Sequence, residues 1–126
     1  NMLLARCRFI RYQMYERLKM NEQKYNGWTN YETWNCMLWI DNTEGDREFW
    51  DSRATKILQE NSGERDESAK VLLEEIRERI EASIPIEANS MYSDLLNAAI
   101  SEINFYEIAE SILSDTEYET EQTEDD

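Results

Sequence analysis

Residues 25–41 read YNGWTNYETWNCMLWID, and this stretch decides the fold because a turn, a helix start and an apolar helix follow one another. Asn26-Gly27 is a turn signal. Thr29 has the character of an N-cap, and Glu32, three residues later, would complete a capping box. The following helix runs to about residue 41 and is apolar nearly all round, which is typical of a buried helix. The sequence therefore predicts this helix as the centre of the core.

Apolar residues recur at helical spacing in most of the remaining chain. Segments 46–59 and 66–82 each have one apolar face, and Pro85 ends the second because proline cannot continue the hydrogen-bond ladder. A further helical pattern starts at residue 89 or 90 and continues to residue 113, with a kink predicted near Asn104. No strand pattern and no internal repeat stand out. The predicted fold class is all-α, a compact bundle of five to six helices with an acidic disordered C-terminal tail.

Charge divides the chain into three predicted regions. Residues 1–24 form a basic amphipathic N-terminal helix with six basic and two acidic residues, a net charge of +4. Residues 25–114 form an acidic helical domain, and residues 115–126 form the acidic tail. The helix of the first region spans about residues 2–21, and its apolar stripe consists of Leu3, Cys7, Ile10, Met14 and Leu18.

The basic N-terminal helix has three interpretations. Its charge and stripe suit packing against the acidic domain of the same chain, or docking on another anionic surface or a membrane. The regular stripe also suits pairing with a second copy, which would make the protein a homodimer.

The residue inventory argues against catalysis. The chain has no histidine, only two cysteines and three glycines, which leaves no common general base, no zinc site and no phosphate-binding loop. Carboxylate pairs remain, at Glu74/Glu78, Asp94/Glu102 and Glu107/Glu110, and such pairs can bind Mg²⁺ or Mn²⁺. Among 28 acidic residues they are expected by chance. We therefore predict no enzyme, no cofactor and no metal site, with a carboxylate-based metalloenzyme as the least favoured hypothesis.

Acidic residues dominate the second half of the chain. The whole chain has a net charge of −15, and after Arg79 it contains 13 acidic residues and no basic one. Such a surface favours basic partners, many of which bind nucleic acid. Trp28 lies just outside the predicted helix cap and is, of the four tryptophans, the one most expected to be partly exposed. The predicted partner-binding residues are Glu74, Glu78, Glu81, Asp94, Glu102, Glu107, Glu110 and Trp28.

Residues 25–35 contain the signature Asn-Gly-Trp-Thr-Asn-Tyr-Glu-Thr-Trp, which resembles that of a family of small phage and plasmid proteins. Residues 92–110 are similar to the closing helical motif of the same family, and the resemblance covers about residues 25–113. It implies a mobile-element setting and transfers no catalytic residue. Members often begin just before the signature, so the basic N-terminal helix is a departure from the family pattern.

Setting and charge together lead to two hypotheses of function. The first is a phage- or plasmid-encoded, non-enzymatic inhibitor of a host nucleic-acid-binding defence complex, anti-CRISPR first and anti-restriction second. It would bind a basic groove of the host complex as a nucleic-acid mimic, without binding nucleic acid or membrane itself. The alternative is an accessory protein-binding module that acts through an apolar patch on the N-terminal helix or around Trp28. A cytoplasmic location in the host cell is expected in either case.

Overall fold

The computed structural model describes residues 25–118. Within this range the chain forms five α-helices and no β-strand, so the predicted all-α bundle is confirmed. The helices are α1 (Tyr31–Asn42), α2 (Asp46–Glu60), α3 (Arg65–Ala82), α4 (Met91–Ser101) and α5 (Phe105–Ser114). The predicted N-terminal helix and the end of the predicted tail lie outside the described residues.

The core lies where α3 packs against α5, with α2 beside both. Apolar side chains recur on one face of each of these helices, so each helix buries a continuous stripe. The fully buried side chains of this contact include Ile57 and Leu58 of α2, Leu72 and Ile76 of α3, and Ile108, Ile112 and Leu113 of α5.

Helix α1 is peripheral, so the prediction that it forms the centre of the core is wrong. It buries Thr33, Met37 and Ile40 against the other helices. Trp39 lies on its outer side with 65% of its surface exposed. The even spread of apolar residues around α1 reflects a second apolar surface, which faces solvent.

The start of α1 also differs from the predicted capping box. Asn30, rather than Thr29, is the N-cap, and its side-chain oxygen accepts a hydrogen bond from the backbone N–H of Thr33 at 2.9 Å. Asn and Thr are both good caps, and Asn is slightly better. The backbone N–H of Thr29 donates instead to the carboxylate of Glu107 at 3.0 Å. The cap therefore shifts by one residue because Thr29 is engaged with α5.

The predicted kink near Asn104 is a full break between α4 and α5. Ser90 caps α4 with a complete capping box, and Asn104 caps α5 by accepting from the N–H of Glu107. Each helix therefore has its own start signal.

The chain stays packed beyond the end of α5. Thr116 is buried, and Tyr118 packs against the core cluster and lies directly over Gly63. Asp115 pairs with Arg47 of α2 at 2.9 Å. The ordered domain thus extends to Tyr118, past residue 115, where the tail is predicted to begin.

Candidate functional site: acidic helix surfaces and an apolar groove

Acidic side chains cover most of the described domain. Residues 25–118 contain 21 acidic and seven basic residues, a net charge of −14. Arg47 pairs with three carboxylates, Arg53 with Glu75, Lys70 with two acids one turn away, and Arg77 with Glu74. Most of the basic charge is therefore already neutralised, and it lies on α2 and α3.

The three predicted acidic residues of α3 are all at the surface. Glu78 and Glu81 are exposed and form no ion pair with another residue of the range 25–118. Glu74 pairs with Arg77 one turn along the helix, and this contact raises the pKa of Arg77. Glu78 and Glu81 are thus more available to a partner than Glu74.

The carboxylates of α4 are also free to contact a partner. Asp94 is exposed in the first turn of α4, and Glu102 is exposed at its C-terminal end. Neither side chain takes part in a salt bridge with the described part of the chain. From Glu81 to Tyr118 the sequence contains no basic residue, and the basic side chains that reach this segment are Arg47, which pairs with Asp115, and Arg65, which donates to backbone carbonyls near the end of α5.

Trp28, Glu107 and Glu110 meet at an open cleft between the N-terminal turn and α5. The cleft has a volume of about 510 Å³ and is also lined by Gly27, Ser111 and Ser114. Trp28 is half-buried and packs against the core cluster. Glu107 is held by the N–H of Thr29, whereas Glu110 is exposed. The structure therefore joins three predicted residues in one place, with Glu107 serving at least partly as a structural acceptor.

The polar residues of the signature motif connect α1 to the α4–α5 junction. The hydroxyl of Thr33, which is fully buried, accepts from the backbone N–H of Asn104 at 2.8 Å and donates to Asn30 at 2.6 Å. The side-chain amide of Asn30 donates to the backbone carbonyl of Glu102 at 2.7 Å. The motif thus fixes the position of α4 relative to α1, a structural role that sequence analysis missed.

An apolar groove lies between α1 and α4. It has a volume of about 410 Å³ and is lined by Tyr31, Glu32, Asn35, Cys36, Trp39, Ile40, Asp46, Ile80, Leu96, Ala99, Ile100 and Ile103. Trp39 stands at its edge. On α4, Met91, Tyr92 and Leu95 are each more than 60% exposed. Trp28 is partly exposed, as predicted, but Trp39 is the more exposed of the two.

Two side chains near these surfaces have shifted acidity. Burial raises the pKa of the Cys36 thiol to about 11, which keeps this groove residue protonated at neutral pH. A hydrogen bond to Asp66 at 2.5 Å raises the pKa of Tyr106 to about 12. Both groups are therefore protonated at physiological pH, and a raised pKa is the opposite of the shift that activates a nucleophile.

The described residues hold no group of three or more His, Cys, Asp or Glu side chains arranged to bind a metal ion. Likewise, no helix between residues 25 and 118 is long and apolar enough to cross a membrane.

The fold and its surfaces define a small all-α domain with an acidic surface and one apolar groove. The chain matches the family of unknown function DUF7249 over residues 21–118, and it belongs to this family. The match begins at residue 21, so residues 1–20 are not part of the family match. Searches of curated proteins and of solved structures find no match.

Proposed function

We propose that this domain is a non-enzymatic binding protein that occupies the basic, nucleic-acid-binding groove of a partner protein through its carboxylates. The observation that carries the proposal is the run from Glu81 to Tyr118, which contains exposed acids on two helices and no basic residue. Such a surface produces a negative field that attracts basic partners and repels nucleic acid.

Helical placement makes these carboxylates suitable as phosphate substitutes. Asp94 and Glu102 lie at opposite ends of α4, and Glu110 lies on α5. The junction between α4 and α5 is fixed by hydrogen bonds from Asn30 and to Thr33. Because the charges are attached to helices, little backbone conformational entropy is lost when a partner binds them.

The biological setting follows from the signature motif and the charge together. The motif resembles that of small phage and plasmid proteins, and acidic proteins of mobile elements often inhibit host defence. A host defence complex with a basic groove is therefore the proposed target, a CRISPR effector first and a restriction enzyme second.

Affinity capture tests the proposal. The tagged full chain would be incubated with lysate of a bacterial host at low salt, washed with rising salt, and the released proteins identified by mass spectrometry. A nucleic-acid-binding complex that elutes with salt and returns when salt is removed supports the proposal, because exposed charge pairs are screened. Capture of only salt-resistant proteins unrelated to nucleic acid contradicts it.

One observation favours a second candidate, an accessory module that binds a protein through an apolar surface. The 65% exposure of Trp39 beside the apolar groove is typical of an interface anchor. On this ground we propose Trp39, in place of Trp28, as the contact residue of this second candidate. Apolar binding would persist at high salt and would be lost on Trp39→Ala, whereas binding through carboxylates would tolerate that change.

A further inference from the structure

The apolar groove between α1 and α4 is not covered by any other element of residues 25–118. Its lining is almost entirely apolar, and Trp39 and Leu95 beside it are each more than 60% exposed. Leaving such a surface in water forgoes about 25 cal/mol for each Å² that could be buried. Exposed apolar patches of this kind mark a place where another element binds.

We propose that residues 2–21 of the same chain lie in this groove as a helix and cover Trp39. The apolar stripe of this segment has the spacing of one helix face, with Leu3, Cys7, Ile10, Met14 and Leu18 at intervals of three or four residues. A helix with a single apolar stripe buries that stripe against one apolar surface, and the groove is such a surface.

The start of the described chain lies beside the groove. Tyr25 contacts Tyr31 edge-to-face, with ring centroids 5.2 Å apart, and Tyr31 is itself a lining residue. Tyr25 also contacts Trp34 of α1, with centroids 5.0 Å apart. Only residues 22–24 separate the predicted helix from this anchor. So short a link gives an effective concentration in the millimolar range, which favours the segment of the same chain over a second copy at micromolar concentration.

Charge complementarity favours the same occupant. Residues 1–24 carry +4, whereas residues 25–118 carry −14. Glu32 and Asp46 line the groove itself, and neither pairs with a basic side chain of the described range. The flanking arginines of the segment would meet these acids while the stripe covers the apolar floor.

The lengths also agree. Twenty helical residues span about 30 Å, whereas α1, which forms one wall, has 12 residues and spans about 18 Å. A helix over residues 2–21 is thus long enough to cover the whole groove and the indole of Trp39.

Cys36 gives a direct readout, because it lines the groove and becomes the only thiol after Cys7→Ser. The rate at which N-ethylmaleimide modifies Cys36 would be measured in full-length Cys7→Ser protein and in two double variants of it. Ile10→Asp with Met14→Asp places two charges on the stripe. Phe9→Asp with Tyr12→Asp makes the same charge change on the opposite side of the predicted helix and is the matched control.

We expect the stripe variant to react about tenfold faster than its parent, and the control to react at the parental rate. A tenfold change corresponds to a segment docked about 90% of the time, which an effective concentration of about 1 mM gives when the intrinsic Kd is about 0.1 mM. The described core lies entirely between Met37 and Leu113, so the domain stays folded in both variants, and thermal unfolding followed by circular dichroism checks this. Equal rates in the parent and the stripe variant would overturn the proposal. If the protection of Cys36 from N-ethylmaleimide falls when the protein is diluted, and sedimentation shows a dimer, the occupant of the groove is a second copy and the proposal is overturned.

Discussion

Replacing Thr33 by valine tests the role assigned to the signature motif. Valine keeps the shape of the side chain and removes the hydroxyl, which accepts from the N–H of Asn104 at 2.8 Å and donates to Asn30 at 2.6 Å. Thr33 is fully buried, so water cannot replace the hydroxyl at this position. Two net hydrogen bonds of about 1 kcal/mol each are lost, so we expect the free energy of unfolding to fall by about 2 kcal/mol.

For a domain of this size, that loss corresponds to a fall in melting temperature of about 10 °C. Urea unfolding followed by circular dichroism measures the change, and Thr55→Val is the matched control. The hydroxyl of Thr55 bonds only to the carbonyl of Asp51 within its own helix. We expect the control to change stability by about 0.5 kcal/mol or less.

The same substitution should act on α4 more than on the core. In the described range α4 has no extensive contact with another helix, so the motif hydrogen bonds are a large share of what holds it. Hydrogen exchange of the α4 amides should therefore accelerate in Thr33→Val, while the amides of α3 change only with global stability. If Thr33→Val and Thr55→Val are equally stable and α4 exchanges at its wild-type rate, the reasoning about the motif is refuted.

Two further predictions concern the packed chain end and a shifted tyrosine. Gly63→Ala should destabilise the fold and detach Tyr118, because Gly63 has a φ of +81° and an added Cβ would lie 2.6 Å from the ring of Tyr118. Urea unfolding measures the stability and tyrosine fluorescence measures the detachment. Unchanged stability would contradict the packing of Tyr118 over Gly63. The pKa of Tyr106, raised to about 12 by Asp66, should move toward 10 in Asp66→Asn, as read from ultraviolet absorbance titration with Tyr106→Phe as the reference. Because folding raises this pKa, the stabilisation from the pair is complete below pH 10 and is lost as the pH rises through 12; a Tyr106 that titrates near 10 in the wild type would contradict the hydrogen bond.

The local features of the helices were predictable from sequence, because each depends on neighbouring residues. The bounds of α2 and α3 agree with the predictions to within one residue, since Gly63 and Pro85 interrupt the apolar patterns close to the observed ends. The break before α5 was only a predicted kink. Asn104 caps α5 by an ordinary side-chain hydrogen bond, but its backbone N–H also donates to the hydroxyl of distant Thr33, which local patterns do not reveal.

The surfaces depend on contacts between distant parts of the chain, and sequence predicted them less well. Periodicity indicates that α1 is apolar on both sides, but the side that meets α2 and α5 is decided by the complete fold. The prediction of a fully buried helix therefore hides both the exposed face that contains Trp39 and the groove beside it. Among the predicted acids, Glu107 turned out to accept a backbone N–H from Thr29, 78 positions away in the chain. The exposed positions Glu78, Glu81, Asp94, Glu102 and Glu110 remain a prediction of the partner surface.

The measurement that tests the central claim most directly compares two double charge-reversal variants of this protein. The affinity of the captured basic partner for each variant would be measured as a function of salt concentration. Glu81→Lys with Glu102→Lys changes the proposed surface at two helix ends, where lysine suits the helix dipole. Glu44→Lys with Glu60→Lys makes the same change in net charge elsewhere.

We predict that the first pair weakens binding about tenfold or more at low salt and flattens its salt dependence. Each charge reversal replaces an attraction by a repulsion, which changes the free energy of binding by about 1 kcal/mol for each substitution. The second pair should have a much smaller effect. Equal effects of both pairs would show that net charge alone is responsible, and wild-type affinity in the first pair would contradict the claim that the partner binds this acidic surface.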